Sequence, residues 1–265
     1  MVIDYGESCM KVGLVLSGGG TRGVAHLGVL KFLDEHGLKV AAIAGCSVGA
    51  LFGAFYAYHH SWKMLEDLVY RHDFFSLLDI AVLDPGLVKG KKFEALIAQE
   101  LNHAHFSDLH IPLFINAVNI TTRQETVFSS GPVTPAIRAS MSVPGVFTPY
   151  EHDGNTYIDG AVYDNIPFKH LPSDIDRVLI VDVGYYTSIS TVSIRTINLL
   201  FDTMVSMQGA MTQLRLQTLT LPYVLLVPQL QGHFLFESKK YYPALIKKGY
   251  ACAHEHKQEI LKLFS

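Results

Sequence analysis

The chain alternates between short apolar runs and segments whose apolar residues recur at helical spacing. Runs of the first kind are typical of strands buried on both faces of a sheet, and they occur in KVGLVLS, VAAIA, IPLFINAVNI, RVLIVDVG and YVLLVP. Segments of the second kind predict helices and include VAHLGVLKFLDEHG, ALFGAFYAYHH and TPAIRASMS. This alternation predicts an α/β fold of three α/β/α layers, with a mostly parallel central sheet and helices on both faces.

Three further patterns complete the predicted secondary structure. The segment YEHDGNTYID predicts a hairpin that turns at residues 153–154, an Asp-Gly pair. The segment TINLLFDTMVSMQGAMTQLRLQ predicts a long helix in the core or in a pocket wall, and the spacing of Met204, Met207 and Met211 on one face is typical of core. Residues 241–264 predict a final amphipathic helix.

Length, charge and hydropathy narrow the classes of protein. Because no linker, repeat or low-complexity tract divides the 265 residues, we expect a single domain, 1–265, with a motif-bearing core at about 11–183 and a C-terminal strand and helices at 190–265. The net charge is −3 and the basic residues are scattered, which does not indicate a nucleic-acid partner. The hydrophobic fraction is 49%, yet no run approaches the ~20 residues of a membrane span.

Cysteine usage and the N-terminus bear on localisation. The three cysteines are odd in number and lack metal-ligand spacing, so we expect neither a disulfide framework nor a metal site: Cys9, Cys46 and Cys252. The acidic start MVIDYGESCMK has no apolar region of a signal peptide. These features favour a cytoplasmic protein. Without a polybasic patch, any contact with the inner membrane surface would be peripheral and apolar.

The glycine-rich segment LSGGGTRG fits two kinds of loop. With Gly18, Gly20 and Gly23 it contains G-x-G-x-x-G, the pattern of a dinucleotide site. Such a site also needs an acidic residue at the end of the second strand, where this chain has Ala44, Gly45 and Cys46. The sequence therefore argues against a dinucleotide site.

The second predicted strand ends instead in G-x-S-x-G, formed around Ser47 by Gly45 and Gly49. In a nucleophile elbow, a serine occupies a tight strand-to-helix turn and flanking glycines relieve the crowding. Parallel strands would place both loops on one edge of the sheet, so the backbone N–H groups of the glycine loop could stabilise an oxyanion next to Ser47. The glycine loop is therefore better interpreted as an oxyanion hole than as a nucleotide site.

The base that would accept the Ser47 proton is less evident. A histidine oriented by an acid is the usual partner, and the downstream candidates are His152, His170, His233, His254 and His256. None has a recognisable context, and an α/β-hydrolase places more strands before its elbow. Asp159, in YIDGA, is the alternative because it follows apolar residues, although most Asp-Gly pairs only form turns.

Three motifs in order, GGGTRG, GCSVG and DGA, together with AIRASMSVPGVFTPY, give the chain a family resemblance. The sequence resembles the patatin-like phospholipases, particularly their compact bacterial members, from about Lys11 to the segment before the C-terminal helix. The resemblance implies hydrolysis of acyl esters in phospholipids, lysophospholipids or neutral lipids, without a metal or other cofactor. Residues 185–236 carry no family motif, so the resemblance leaves substrate choice open.

The resemblance also implies a Ser–Asp dyad without histidine. Ser47 would be the nucleophile and Asp159 the base, followed in the motif by Gly160 and Ala161. The oxyanion hole would comprise backbone amides around Gly18, Gly19, Gly20 and Arg22. One departure from the family pattern is Cys46, where threonine is common.

Other functions and structural interpretations stay open at this point. An acyltransferase or thioesterase could use the same serine, and a non-catalytic regulatory protein could keep the fold. Arg22 could attract a phosphate head group or pair within its loop. We interpret Cys46 as a small buried residue. Residues 72–90 are interpreted as core and loop rather than as a lipid-contacting lid. Two pairs of histidines are interpreted as solvent-exposed rather than metal-binding: His103 with His105 and His254 with His256.

Overall fold

The computed structural model describes residues 10–72, 88–184, 196–230 and 238–265, and eight strands and eight α-helices lie in these ranges. The strands are β1 Val12–Leu16, β2 Ala42–Cys46, β3 Leu113–Asn119, β4 Gln124–Phe128, β5 Tyr150–His152, β6 Asn155–Asp159, β7 Arg177–Val181 and β8 Tyr223–Leu226. The helices are α1 Val24–Glu35, α2 Val48–His59, α3 Trp62–Arg71, α4 Lys91–Glu100, α5 Val133–Ser140, α6 Thr196–Leu216, α7 Tyr242–Glu255 and α8 Lys257–Phe264.

All eight strands join one mixed sheet. Five of them run parallel in the order β8-β7-β1-β2-β3. Strands β4 and β6 pair antiparallel with β3, and β5 forms a hairpin with β6. The predicted α/β class with a mostly parallel sheet is confirmed.

Successive side chains of the parallel strands point to opposite faces of the sheet, and each face packs against its own hydrophobic core. On one face, Leu14 and Leu16 join a large core that includes residues of α1 to α5, α7 and α8. On the other face, Val15 belongs to a smaller core covered by the segment 166–175 and by Leu216 at the end of α6. Because both faces of the sheet are buried, the strands are apolar at successive positions and do not alternate between apolar and polar residues.

Several element bounds differ from the prediction. Strand β2 begins at Ala42, two residues later than expected, because its pairing with β1 starts there. The predicted final helix is two helices, α7 and α8, which are separated at His256, and the ring Nδ1 of His256 bonds to the carbonyl oxygen of Cys252. The hairpin turn is confirmed: Asp153 and Gly154 both have positive φ, 48° and 73°. Of the 72–90 segment, residues 73–87 lie outside the described ranges.

The prediction that the methionines of α6 lie in the core is wrong. Met207 is 64% exposed and Met211 is 42% exposed, while Met204 is half-buried and lines a pocket. Helical spacing identifies side chains that share a face, but it does not show whether another element covers that face. Within the described ranges, no helix combines the length and apolarity needed to cross a membrane.

Candidate active site

The parallel pairing of β1 and β2 brings the two predicted motifs to one edge of the sheet. Leu16, at the end of β1, pairs with Gly45 near the end of β2. The chain leaves β1 as the glycine loop and leaves β2 at Ser47. A Cβ atom on Gly18 would lie 3.0 Å from the Cβ of Ser47, so the two loops are in direct contact as predicted.

Ser47 occupies a strained turn between β2 and α2. Its backbone angles are φ 52° and ψ −124°, a region that residues other than glycine rarely adopt. The flanking glycines permit this turn through close packing: a Cβ on Gly45 would lie 2.7 Å from the Gly49 carbonyl oxygen, and one on Gly49 only 2.1 Å from that of Leu16. The turn places Ser47 at the N-terminus of α2, where the helix dipole favours negative charge.

The end of α5 and the residues that follow it hold both Ser47 and Asp159. The backbone N–H of Ser47 donates to Oγ of the buried Ser140 at 2.8 Å. The backbone N–H of Asp159 donates to the carbonyl oxygen of Ser142 at 2.9 Å. The fully buried Arg138 donates to Ser142 Oγ at 2.7 Å, which fixes this segment in turn.

Asp159 reaches Ser47 because β2 and β6 share one side of β3. Residues 113–116 of β3 pair with β2, and residues 117–119 continue the same edge by pairing with β6. Since β6 runs antiparallel, the carboxyl ends of β2 and β6 meet end to end: Cys46 pairs with Asn116, and Asp159 pairs with Ala117.

The carboxyl group of Asp159 is buried, with 3% of the residue exposed. Burial raises its pKa to about 6, although the side-chain hydroxyl of Ser47, the N–H of Ala161 and the thiol of Cys46 all act as donors that lower it. The Ala161 bond is 2.8 Å long. A pKa near neutrality suits a carboxylate for accepting a proton.

Cys46 lies beside this carboxyl group. Its Sγ is 3.8 Å from Asp159 Oδ1. Burial, and to a lesser extent the negative charge of Asp159, raises the pKa of the thiol well above its ordinary range. The group therefore stays a protonated, weakly donating thiol, which agrees with its interpretation as a small buried residue. Cys46 and Cys252 are both free and buried, and Cys9 lies outside the described residues.

The N–H groups of the glycine loop differ in whether they are already hydrogen-bonded. The N–H of Gly18 donates to Oδ1 of Asn165 at 3.0 Å, so it is not free to bind an oxyanion. Among the described residues, the N–H groups of Gly19 and Gly20 donate to no acceptor. Arg22 is 3% exposed and donates from Nε to the carbonyl oxygen of Gly19 at 3.1 Å, which favours its pairing within the loop over a surface phosphate site.

Buried polar contacts support the base of this loop. Ser17 Oγ donates to the carbonyl oxygen of Gly18 and accepts from the N–H of Val183. His26 Nε2 lies 2.9 Å from the carbonyl oxygen of Ser17, and burial lowers the pKa of His26 to about 4. The histidine is therefore neutral at pH 7 and supports the loop.

The predicted catalytic and oxyanion-hole residues line one pocket. Its described lining contains no histidine and consists of Gly18, Gly19, Gly20, Arg22, Ser47, Val143, Pro144, Asp159, Ala161, Val162, Asn165, Gly184, Met204, Val205 and Gln208. Of the other motif residues, Gly45 lies near the end of β2, whereas the rest lie in the adjoining short helices or at the start of α2: Gly23, Gly49 and Gly160. Of the histidines proposed as alternatives, His233 lies outside the described residues.

The sequence did not reveal the residues that hold the candidate site in place through hydrogen bonds. Ser140, Ser142 and Asn165 carry no recognisable chemistry of their own, yet they hold Ser47, Asp159 and the glycine loop. The signal that could have indicated them is their location: two lie in AIRASMSVPGVFTPY, and the third follows the DGA motif.

A cluster of Glu125, Asp164 and His170 is close enough in space to hold a metal ion. However, Lys169 Nζ lies 2.6 Å from Glu125 and 3.6 Å from Asp164, and Arg215 Nε lies 3.4 Å from Asp164. Burial alone would raise the pKa of Glu125, but hydrogen bonds from His170, Lys169 and Asn116 lower it to about 2. These cations already compensate the carboxylates, so the cluster fits an ion-pair network better than a metal site.

The fold and the site geometry define a class, the α/β proteins in which a glycine loop and a strained G-x-S-x-G turn meet at the carboxyl edge of a mostly parallel sheet. Within that class, the sequence profile described as "Patatin-like phospholipase" matches residues 14–172. The chain belongs to the patatin-like phospholipase family, and the resemblance inferred from three motifs is confirmed.

Curated relatives carry the name Lysophospholipase NTE1. The protein of Cryptococcus neoformans var. neoformans serotype D is 34% identical over 183 residues, covering 66% of this chain and 11% of the relative. That of Mycosarcoma maydis is 34% identical over 184 residues, covering 66% and 10%. The chain thus spans about a tenth of the length of these relatives.

Solved structures support the fold. VipD from Legionella pneumophila has a TM-score of 0.61 at 14% identity, covering 93% of this chain and 66% of VipD. The ExoU–SpcU complex of Pseudomonas aeruginosa has a TM-score of 0.52 at 18% identity, covering 96% and 52%.

Proposed function

We propose that this protein is a lipid acyl hydrolase of the lysophospholipase or phospholipase A type, acting through a Ser47–Asp159 dyad and a glycine-loop oxyanion hole. The observation that carries the proposal is the meeting of Ser47, in its strained turn, with the buried carboxyl group of Asp159 in one pocket. Family membership and the name of the NTE1 relatives support a lipid ester as the substrate.

In the first half of the reaction, Ser47 Oγ attacks the carbonyl carbon of the ester and its proton passes to the carboxylate of Asp159. The tetrahedral oxyanion accepts hydrogen bonds from the N–H groups of Gly19 and Gly20, assisted by the N-terminus of α2. Collapse of this intermediate expels the alcohol, which takes the proton from Asp159. The acyl group is then covalently attached to Ser47.

In the second half, Asp159 accepts a proton from water as the water attacks the acyl-serine. A second tetrahedral oxyanion forms in the same hole and collapses, which releases the fatty acid and returns the proton to Ser47. Asn165 contributes by holding Gly18 through its N–H, which supports the position of Gly19 and Gly20 in the pocket lining. The pocket wall supports an apolar acyl chain because it includes Val143, Val162 and Met204.

The direct test is labelling by a fluorophosphonate probe, combined with turnover of a lysophospholipid. We expect the wild-type protein to be labelled and active, and Ser47→Ala to lose both properties because the attacking oxygen is absent. Ser107→Ala is the matched control, since Ser107 is exposed on a turn distant in sequence from the motifs. A folded Ser47→Ala variant with near-normal turnover would rule the proposal out.

A further inference from the structure

Helix α6 has an outer face unlike that of an ordinary water-facing helix. Water-facing sides of helices normally carry charged and polar residues, but Asp202 and Arg215 are the only charged residues among the 21 of α6. Four large apolar side chains are exposed instead, at 46%, 64%, 42% and 57%: Leu199, Met207, Met211 and Leu214. We call these four residues the outer face of α6.

The outer face is continuous with the pocket wall. Met204, Val205 and Gln208 of the same helix line the pocket that contains Ser47 and Asp159. At about 100° per residue, Met211 projects only about 20° away from Met204 around the helix axis. Apolar side chains therefore continue from the pocket wall around α6 to its exposed side.

Polar contacts fix the inner side of α6 onto the segment that follows Asp159. Arg215 donates to the carbonyl oxygen of Tyr163 at 3.1 Å, and its Nε lies 3.4 Å from Oδ2 of Asp164. The Asp164 side chain is only 1% exposed. This contact directs Arg215 inward. Asp202 is half-buried, and the four residues of the outer face carry no charge.

We propose that the outer face of α6 docks the protein on a lipid surface and delivers acyl chains along α6 into the pocket. The inference rests on the proposed function, because a lipid substrate makes a lipid layer the occupant of a face beside the pocket. A second copy of the chain on this face would cover the same route to the pocket. Because the face is uncharged, we expect docking on zwitterionic lipid to depend on apolar insertion rather than on charge.

Flotation with phosphatidylcholine vesicles tests this inference on the full chain. We expect the wild-type protein to float, and Met207→Glu combined with Leu214→Glu to reduce vesicle binding at least tenfold. Gln213→Glu adds the same charge at an exposed polar position of α6 and should bind like the wild type. Raising the salt concentration should change wild-type binding less than twofold, because screening weakens charge interactions only.

Hydrolysis of a monomeric short-chain ester is measured in parallel, and we expect the double variant to match the wild type because neither residue lines the pocket. The inference is overturned if the wild type does not float, if the double variant floats equally well, if moderate salt abolishes binding, or if short-chain hydrolysis is lost as well. A wild-type dimer that the double variant converts to a monomer would also overturn it. Absence of ester hydrolysis by a protein that still floats would contradict the proposed function alone.

Discussion

At the scale of single residues, the carboxyl group of Asp159 shows how chemistry conflicts with stability. Burial disfavours its ionised form and raises its pKa to about 6, despite donors on Ser47, Ala161 and Cys46. An exposed aspartate with a pKa near 3.9 would accept a proton from an alcohol poorly. The burial that would suit Asp159 to its proposed role as a base therefore destabilises the folded state whenever the group is ionised.

Asp159→Asn should consequently stabilise the protein at neutral and alkaline pH. The amide is uncharged and keeps an oxygen that can accept the Ala161 N–H. Because the pKa is higher in the folded than in the unfolded state, the wild type loses stability as the pH rises from about 4 through about 6. At pH 8 the group is ionised in both states, and the variant should be more stable by at most about 3 kcal/mol, the free energy that corresponds to this difference in pKa.

Urea unfolding of both proteins at pH 8 and pH 4 measures this effect. The difference should shrink to well under 1 kcal/mol at pH 4, where the carboxyl group is protonated in the folded state and about half protonated in the unfolded chain. A wild type more stable than the variant at pH 8 would show that the site does not disfavour the carboxylate.

The proposed catalytic pair could be identified as candidates from the sequence, whereas the residues that hold them could not. Ser47 and Asp159 stand in motifs whose composition suggests a role, and the structure brings both into one pocket. Ser140 and Asn165 have no such pattern, because their roles depend on hydrogen bonds to residues 93 and 147 positions away. Such contacts follow from the assembled sheet and not from local composition.

At the scale of elements, the turn from β2 into α2 depends on backbone packing against β1. Gly49→Ala should destabilise the protein by about 1–3 kcal/mol or more, because the added Cβ would meet the carbonyl oxygens of Leu16 and Ser17 at 2.1 and 2.6 Å. Backbone atoms cannot move aside as a flexible side chain can. We also expect lower turnover, since any relief of this clash displaces Ser47.

Gly209→Ala in α6 is the matched control. A Cβ at this position meets no atom within 4 Å, so alanine should be neutral or stabilise the helix by up to about 1 kcal/mol. Denaturant midpoints of the two variants measure both effects. Equal stability of Gly49→Ala and the wild type would contradict the packing described for the elbow.

The pairing of elements was only partly predictable. Apolar runs predicted β1, β2, β3, β7 and β8, because continuous burial leaves a local pattern. The placement of β6 along the edge of β3 beyond the end of β2 leaves none, since register arises between strands distant in sequence. The helical spacing of Met204, Met207 and Met211 was correct, but their predicted burial was not, because the spacing did not identify what covers each face.

At the scale of the whole molecule, part of the site lies within the residues that match the family profile and part lies outside them. The glycine loop, Ser47 and Asp159 all lie within the matched residues 14–172. The pocket wall contributed by Met204, Val205 and Gln208 lies beyond that match. This division places the proposed bond-breaking chemistry in the family core and makes α6 the element to vary when acyl-chain preference is studied.

The central claim is that Asp159 takes the proton from Ser47, and kcat/KM for a lysophospholipid across pH 4–9 tests it most directly. In the wild type, kcat/KM should rise about tenfold per pH unit below about 6 and then level, because the base must be ionised. Asp159→Asn should lose about 10²–10⁴-fold at every pH, whereas His152→Gln and His170→Gln should retain most activity. An Asp159→Asn variant within tenfold of the wild type, or a histidine variant as inactive as Ser47→Ala, would contradict the account.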